Sequence, residues 1–457
     1  MKYVFSLAIT YRYVTLLVAL MAISSLSLAD LAKGKEAFSS GDYPAAYREL
    51  VDLEKSADPV VSTILGLLYL EGNGVSKDVF RGVALLEIGA NGGIPLAEDK
   101  MGDIYFYGLS EAKIAVDHKK AFDWYTRAAS ADFGVAKADL ATMYEYGWGT
   151  AQNKAKAVEL LKQSAELDYL PAMYRLGNKY WSGSDIAVDR VKACSLYGVA
   201  AKRGHVRSMG PLGNCYKRGE GLPKDEALSF VWFKKGAEGN DTIAQYFVGK
   251  AYQQGEGVSS NMEQACNWFK RSAEGGDDDA QFQYGACLES GVGAKQDKQE
   301  AVKWYRKSAD QGHSMSQTSL AFMYMLGQGT SKNFEEAAIL FRKSADQNYR
   351  MAQHMLATMY EEGLGVARDY EQAVAWYRKS AELGHAAAQN KLGAKYAEGS
   401  GTQKNMIEAL KWFTIAAAAG NDKATENRDK AEKSLSAADV KKAQALAAEW
   451  MKKNKPK

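Results

Sequence analysis

Residues 211–221 read PLGNCYKRGEG, and thirty-six residues further on, residues 247–257 read FVGKAYQQGEG. The glycine they share, Gly213 in one and Gly249 in the other, recurs at the same interval as Gly285, Ala321, Ala357 and Gly393. Towards the N-terminus the beat reaches Gly177, Ala141, Gly102 and Gly66, with one slip of three residues where GLSEAKIAVD (108–117) lengthens a loop. Ten copies at this period describe a repeat architecture, in which each unit buries its apolar face only against its neighbours.

Each copy reads as a helical hairpin. In AQFQYGACLESGVG (280–293), Ala280, Tyr284 and Leu288 fall four apart and make one apolar stripe on the first helix, helix A. The glycines after it, such as Gly72 with Gly74, Gly219 with Gly221 and Gly363 with Gly365, suit positive φ and stop the helix. An Asp or Asn then stands at a fixed offset: Asp78, Asp117, Asn153, Asp189, Asp225, Asn261, Asp297, Asn333, Asp369 and Asn405. Several have Glu or Gln three residues on, as Asn333 has Glu336, which is the spacing of an N-cap with a capping box for helix B. Helix B carries small and aromatic residues in a set order (Ala301, Trp304, Tyr305, Ser308, Ala309), so that large rings fill the space small residues leave to a close neighbour. The rings read as packing wedges, not as a cofactor box.

The stretches AVAWYRKSAELGH (373–385) and AVKWYRKSADQGH (301–313), with the L-G-x-x-Y-x-x-G-x-G pattern of helix A, resemble the Sel1-like repeat, a relative of the tetratricopeptide repeat. The resemblance runs from about Val60 to Asp422 and is weakest in copy 1, where Gly82, Leu85 and Leu86 stand for Ala, Trp and Tyr. It implies an all-α fold, a right-handed α-solenoid of about ten repeats, and a protein that holds partner proteins. The resemblance supplies no shared catalytic motif.

The rest of the chain frames that block. Lys2 and Arg12 precede the apolar run VTLLVALMAISSLSLA, and Ser27-Leu28-Ala29 offers small residues where a signal peptidase reads, so residues 1–29 are expected to be a signal peptide cut after Ala29. The run is short of the roughly 20 residues a bilayer span needs, so no stable membrane insertion is expected after cleavage. No cysteine follows it to carry a lipid. The expected compartment is periplasmic or secreted. Residues 30–59, with Ala45, Ala46, Leu50 and Leu53 on one stripe after Gly41-Asp42-Tyr43, are expected to form an N-terminal capping hairpin. Residues 60–422 hold the repeats. Residues 423–457 supply C-terminal capping helices, with Val440, Ala443, Leu446, Ala447 and Trp450 on one face behind Ser436-x-x-Asp439, and a basic tail ending in Lys452, Lys453, Lys455 and Lys457. Hydrophobic residues make up 46% of the 457, enough for a long continuous core, and only 7 are proline, which favours helix. The net charge of +3 falls to +1 without Lys2 and Arg12 (3 minus 2), so nothing concentrates a basic face for nucleic acid.

Catalytic signals are sparse. Of the five histidines, His118, His205, His313, His354 and His385, three (His205, His313, His385) share one turn position and lie two or three repeats apart, too far to share a metal ion at about 10 Å per helix pair. They read as polar turn residues. Ser110-x-x-Lys113 in the long loop has the spacing of the nucleophile motif of penicillin-interacting enzymes, yet its companion Lys-Thr-Gly is absent. With some disulfide-rich bacterial members of the resembled family linked to β-lactam binding, a β-lactam or cell-wall-compound binding protein or hydrolase is the alternative function. No cofactor and no metal is expected.

The main functional expectation is an exported scaffold or regulator that binds a protein or peptide on the concave face. Counting from the repeat glycine, offsets −3, +1, +4 and +5 of helix A point away from the core stripe. They hold Phe106, Tyr107, Tyr146, Tyr174 and Trp181, then Lys217, Arg218, Tyr246 and Lys250, then Phe282, Phe322, Met325 and Leu326. Large apolar groups that the repeat does not demand are candidates for partner contact, with Asp99, Asp103 and Glu145 beside the first group. The four cysteines form two pairs 21 residues apart, Cys194 with Cys215 and Cys266 with Cys287, each joining helix B to the next helix A. With the turn near residue 205, the two sulfurs of the first pair differ in height by about one residue, or ~1.5 Å, so both pairs are expected to form disulfides.

Overall fold

The computed structural model of the protein describes residues 28–454. The expected leader, residues 1–29, lies outside the described residues except for its last two, which begin the helix Leu28–Ser40; Lys455 and Lys457 of the tail also lie outside them. Among the described residues there are 24 α-helices and no strand, the only β-type contact being an isolated bridge between Leu109 and Ile114 in the long loop. The repeats are numbered here 1 to 10, from Gly66 to Gly393.

The chain divides into two compact units, one through Lys224 and one from Asp225. The division falls inside repeat 5, between its two helices. The first unit opens with Leu28–Ser40 and Tyr43–Leu50, whose Ala46 and Leu50 are fully buried, followed by a 3-10 turn, Val51–Ser56. Repeats 1 to 4 follow, each with thirteen-residue helices; in repeat 4 helix A is Leu170–Ser182 and helix B is Arg190–Lys202. Helix A of repeat 5, Val206–Arg218, closes the unit. The second unit holds helix B of repeat 5 (Glu226–Glu238), repeats 6 to 10, and two further helices, Asp422–Lys433 and Ala437–Lys453. Ala443 and Ala447 of the last helix are fully buried, and Trp450 meets Trp412 edge-on at 5.8 Å, so this helix covers the end of repeat 10.

Local chemistry sets the hairpin. All ten Asp or Asn N-caps accept the backbone N–H three residues on, as Asn333 does from Glu336 at 3.0 Å, so one orphan donor of every helix B is satisfied. Between the helices, the small residue of helix A faces a ring of helix B: a Cβ on Gly285 would lie 2.8 Å from the Tyr305 ring. Ser308 lies against helix A closely enough for its hydroxyl to donate to the Asp278 carbonyl at 2.7 Å, and Ser272, Ser344 and Ser380 repeat that contact. The two glycines after helix A do different work. Gly363 (φ 75°) caps Arg350–Glu362, donating to the Met359 carbonyl, while Gly365 (φ 64°) lies so near the preceding repeat that a Cβ would stand 2.1 Å from the Phe334 carbonyl oxygen.

Candidate partner-binding surface

Three rings of the first aromatic group, Phe106, Tyr107 and Tyr146, form a continuous patch in the first unit together with Trp148. Phe106 and Tyr107 end helix A of repeat 2 (Pro95–Tyr107), and Tyr146 ends helix A of repeat 3 (Gly134–Tyr146). Tyr107 and Tyr146 are 63% and 59% exposed, well beyond what a packing ring shows. Phe106 is half-buried, 4.8 Å from Tyr107 and 5.2 Å from Trp148, and Trp148 stacks on Tyr146 at 4.8 Å. His118, the first residue of helix B in repeat 2, closes the group at 5.1 Å from Phe106. Neither Trp148 nor His118 was expected here from the sequence. The signal for Trp148 was its place between Gly147 and Gly149, where other repeats carry Asn73, Ser184, Glu220 or Gln328.

The other expected rings sit differently. Tyr174 is half-buried against Tyr197 and His205, at 6.3 and 5.5 Å, and Trp181 lies half-buried under the Arg190 guanidinium at 4.7 Å. In the second unit Tyr246 leans on Phe269, Phe282 on Tyr305 and His313, and Phe322 meets Phe341 edge-on at 5.1 Å, each half-buried. Burial pushes the Tyr246 phenol up to about 12, with Asp279, Asp277 and Asp278 adding to the rise. Beside Phe322, Met325 is half-buried and Leu326 is exposed.

The acids beside the first patch serve the fold. Asp99 is buried, and Asp103 accepts from the Tyr125 hydroxyl at 2.9 Å. Glu145 accepts from Lys179 at 2.7 Å and Arg175 at 3.2 Å, both on helix A of the next repeat. The same arrangement recurs at Glu361, which accepts from Lys395 at 2.7 Å and Lys391 at 3.1 Å. Burial alone would raise the Glu361 carboxyl, but hydrogen bonds from Lys395, Tyr377 and Lys391 hold it at about 2. In the basic stretch Arg218 bonds Asn214 at 3.3 Å.

The turn histidines are helix caps. His313 accepts the Ser316 N–H through Nδ1 at 3.2 Å, His385 accepts from Ala388 at 3.3 Å, and His205 pairs with the Ser208 hydroxyl at 2.8 Å. Burial, with Arg207 nearby, pushes His205 down to about 4; burial, with His385 and Lys391, does the same to His354. No group of three or more His, Cys, Asp or Glu able to hold a metal ion occurs among the described residues. Ser110 and Lys113 are both exposed, in a turn closed by the Lys113 N–H donating to the Ser110 carbonyl. Both cysteine pairs stand at disulfide distance, Cys194 with Cys215 and Cys266 with Cys287, each with Cα atoms 6.1 Å apart. No helix among the described residues is long and apolar enough to cross a membrane.

Against known families, the Sel1 repeat matches ten times, at residues 63–94, 95–133, 134–169, 170–205, 209–241, 242–277, 278–313, 314–349, 350–385 and 386–421. Among solved structures, a protective antigen present in uropathogenic Escherichia coli strains, displaying an SLR fold, is 31% identical, with a TM-score of 0.58, and the match covers 89% of this chain and 94% of the other. A Sel1 repeat protein from Oxalobacter formigenes is 26% identical, with a TM-score of 0.51, over 66% of this chain and 89% of the other. No curated protein matches.

Proposed function

The chain belongs to the Sel1-repeat family, and from that footing we propose that it is an exported scaffold or regulator that holds a partner protein or peptide on helix-A surfaces of its repeats. The observation that carries this reading is the patch of Phe106, Tyr107, Tyr146 and Trp148. Its two tyrosines are more than half exposed at positions the repeat leaves open, and they sit on rings already locked in place by one another. Rigid, pre-ordered aromatic surface is what binding hot spots are made of, because little side-chain entropy is lost on contact. Within the first unit Tyr174 and Trp181 add half-buried edges to the proposed surface, and Tyr246, Phe282 and Phe322 are the candidates of the second unit, taken by itself. Export is supported by the apolar run behind Lys2 and Arg12, by two cysteine pairs at disulfide distance, and by a relative described as a protective antigen.

The test is capture of the native partner by the purified mature chain, compared with Tyr107→Ala/Tyr146→Ala. An interface anchor cut to Ala costs 2 kcal/mol or more, whereas these exposed rings contribute little to the fold. The double variant should lose the partner and keep its melting temperature. Undiminished capture would remove the patch from the binding surface.

A further inference from the structure

A second surface, in the second unit, has a composition that defines its occupant. In repeats 3 and 9 the residue four positions after the repeat small residue is a glutamate, gripped by bases two before and two after the small residue of the next repeat: Glu145 by Arg175 and Lys179, Glu361 by Lys391 and Lys395. Where repeat 8 meets repeat 9, those three places hold Met325, Met355 and Met359. The ionic clasp is replaced by methionines, with Met359 buried and Met325 and Met355 half-buried on the core. Phe322, half-buried, and Leu326, 57% exposed, lie on the same face of Ser314–Leu326. Methionine is flexible and polarizable and fits varied apolar side chains, which suits a surface that must mould to a guest.

Carboxylates bracket this island. Glu289 stands at the Met325 position of repeat 7, and Glu362 at the Leu326 position of repeat 9. The Glu289 carboxylate accepts the Tyr305 hydroxyl at 2.7 Å, and Ser319 and Met323 occupy the places from which a base would reach it; Glu362 is exposed. Neither is ion-paired with a lysine or arginine among the described residues.

We propose that the Phe322, Met325, Leu326 and Met355 surface, with Glu289 and Glu362 at its ends, docks an extended peptide segment of a partner protein that carries an apolar residue between two basic ones. The proposal rests on reading helix-A surfaces as docking surfaces and adds the chemistry of the guest. Two repeat steps of about 10 Å each separate the carboxylates. An extended chain advances about 3.3 Å or slightly more per residue, so the two basic residues are about six apart with the apolar one midway.

The experiment uses the mature chain and three fluorescent twelve-residue peptides, measured by anisotropy at about 50 mM and 500 mM salt: lysines six apart around a central Leu-Phe, the same with glutamates for lysines, and the same lysines around Ser-Ser. The lysine/Leu-Phe peptide should bind at least tenfold more tightly than either control, and its advantage over the glutamate peptide should shrink at high salt. Glu289→Gln/Glu362→Lys should abolish that advantage; Glu289→Gln keeps an acceptor for Tyr305, and Glu362 is exposed, so the variant folds. Leu326→Ser should weaken the lysine/Leu-Phe peptide alone. Equal binding of the lysine and glutamate peptides, no binding of any, or a dimer of the chain that Leu326→Ser dissolves would overturn the proposal. Tyr107→Ala/Tyr146→Ala should leave peptide binding unchanged, so this surface and the first-unit patch fail separately.

Discussion

Replacing Gly363 and Gly365 one at a time by alanine separates two costs that one glycine pair ordinarily hides. Both residues have positive φ, 75° and 64°, so each alanine pays the left-handed penalty of about 1–2 kcal/mol. They differ in space. A Cβ at Gly363 meets the Arg368 Cβ at 3.3 Å, a contact a surface side chain can relax, whereas one at Gly365 stands 2.1 Å from the Phe334 carbonyl oxygen and 2.6 Å from the Glu335 nitrogen. That backbone belongs to helix B of the preceding repeat, Phe334–Asp346, so ordinary contact requires the two repeats to separate by more than 1 Å. Overpacking of this kind costs about 1–3 kcal/mol more. Gly363→Ala should therefore lose about 1–2 kcal/mol and Gly365→Ala about 2–5. Because repeats are stabilised by their neighbours, amide hydrogen exchange is the assay of choice: in Gly365→Ala, protection should fall first in residues 334–346 and 350–362, and in Gly363→Ala mainly at the end of the second of these. Equal losses in the two variants would refute the claim that the second glycine is there for the neighbouring repeat.

Three further outcomes follow from named contacts. In repeats 7 and 8, Gln311 and Gln347 donate to the buried Gln281 and Gln317 side-chain oxygens at 2.9 Å, while in repeat 9 the donor's place is taken by Leu383 and the Gln353 side-chain oxygen has no hydrogen-bond partner among the described residues; Leu383→Gln should raise stability by about 0.5–1.5 kcal/mol in urea unfolding. Each cysteine pair closes a loop of 21 residues, so reduction should cost about 3 kcal/mol per bond in the chain-entropy picture, read as a lower melting temperature with reductant that Cys194→Ser/Cys266→Ser no longer shows. His205 and His354 take a proton near pH 4 when folded but near 6.5 when unfolded, so the unfolded chain binds more protons between those values and stability falls as pH drops from about 6.5 to 4; His354→Gln should flatten that part of the melting-temperature profile, whereas Glu361, held at about 2, adds a loss only below the ordinary carboxylate range.

What the sequence makes legible depends on how far apart the interacting groups are along it. The N-caps from Asp78 to Asn405 bond their own helix three residues on, and the paired glycines sit where their own helix ends, so spacing alone identifies them. The cysteine pairs are nearly as local, since one turn joins the two helices and counting residues sets their heights. Contacts between repeats are another matter, because they join positions that vary from copy to copy. Glu145 reads from sequence as the acidic rim of a binding patch, yet Arg175 and Lys179, thirty and thirty-four residues on, take it into the fold. Asp99 and Asp103 read the same way and are, respectively, buried and bonded to Tyr125. Trp148 is the converse: in a glycine turn it reads as loop, and only the position of Phe106 in the preceding repeat makes it the centre of an aromatic surface. The same rule explains the methionines at the junction of repeats 8 and 9. No single copy marks Met325, Met355 and Met359 as unusual, since each position alone tolerates many residues; they stand out together only once the glutamate and two bases that fill those places where repeat 3 meets repeat 4 and repeat 9 meets repeat 10 are known to touch. Function in a repeat protein is therefore written in the departures from its own internal contacts, which become visible when the contacts are known.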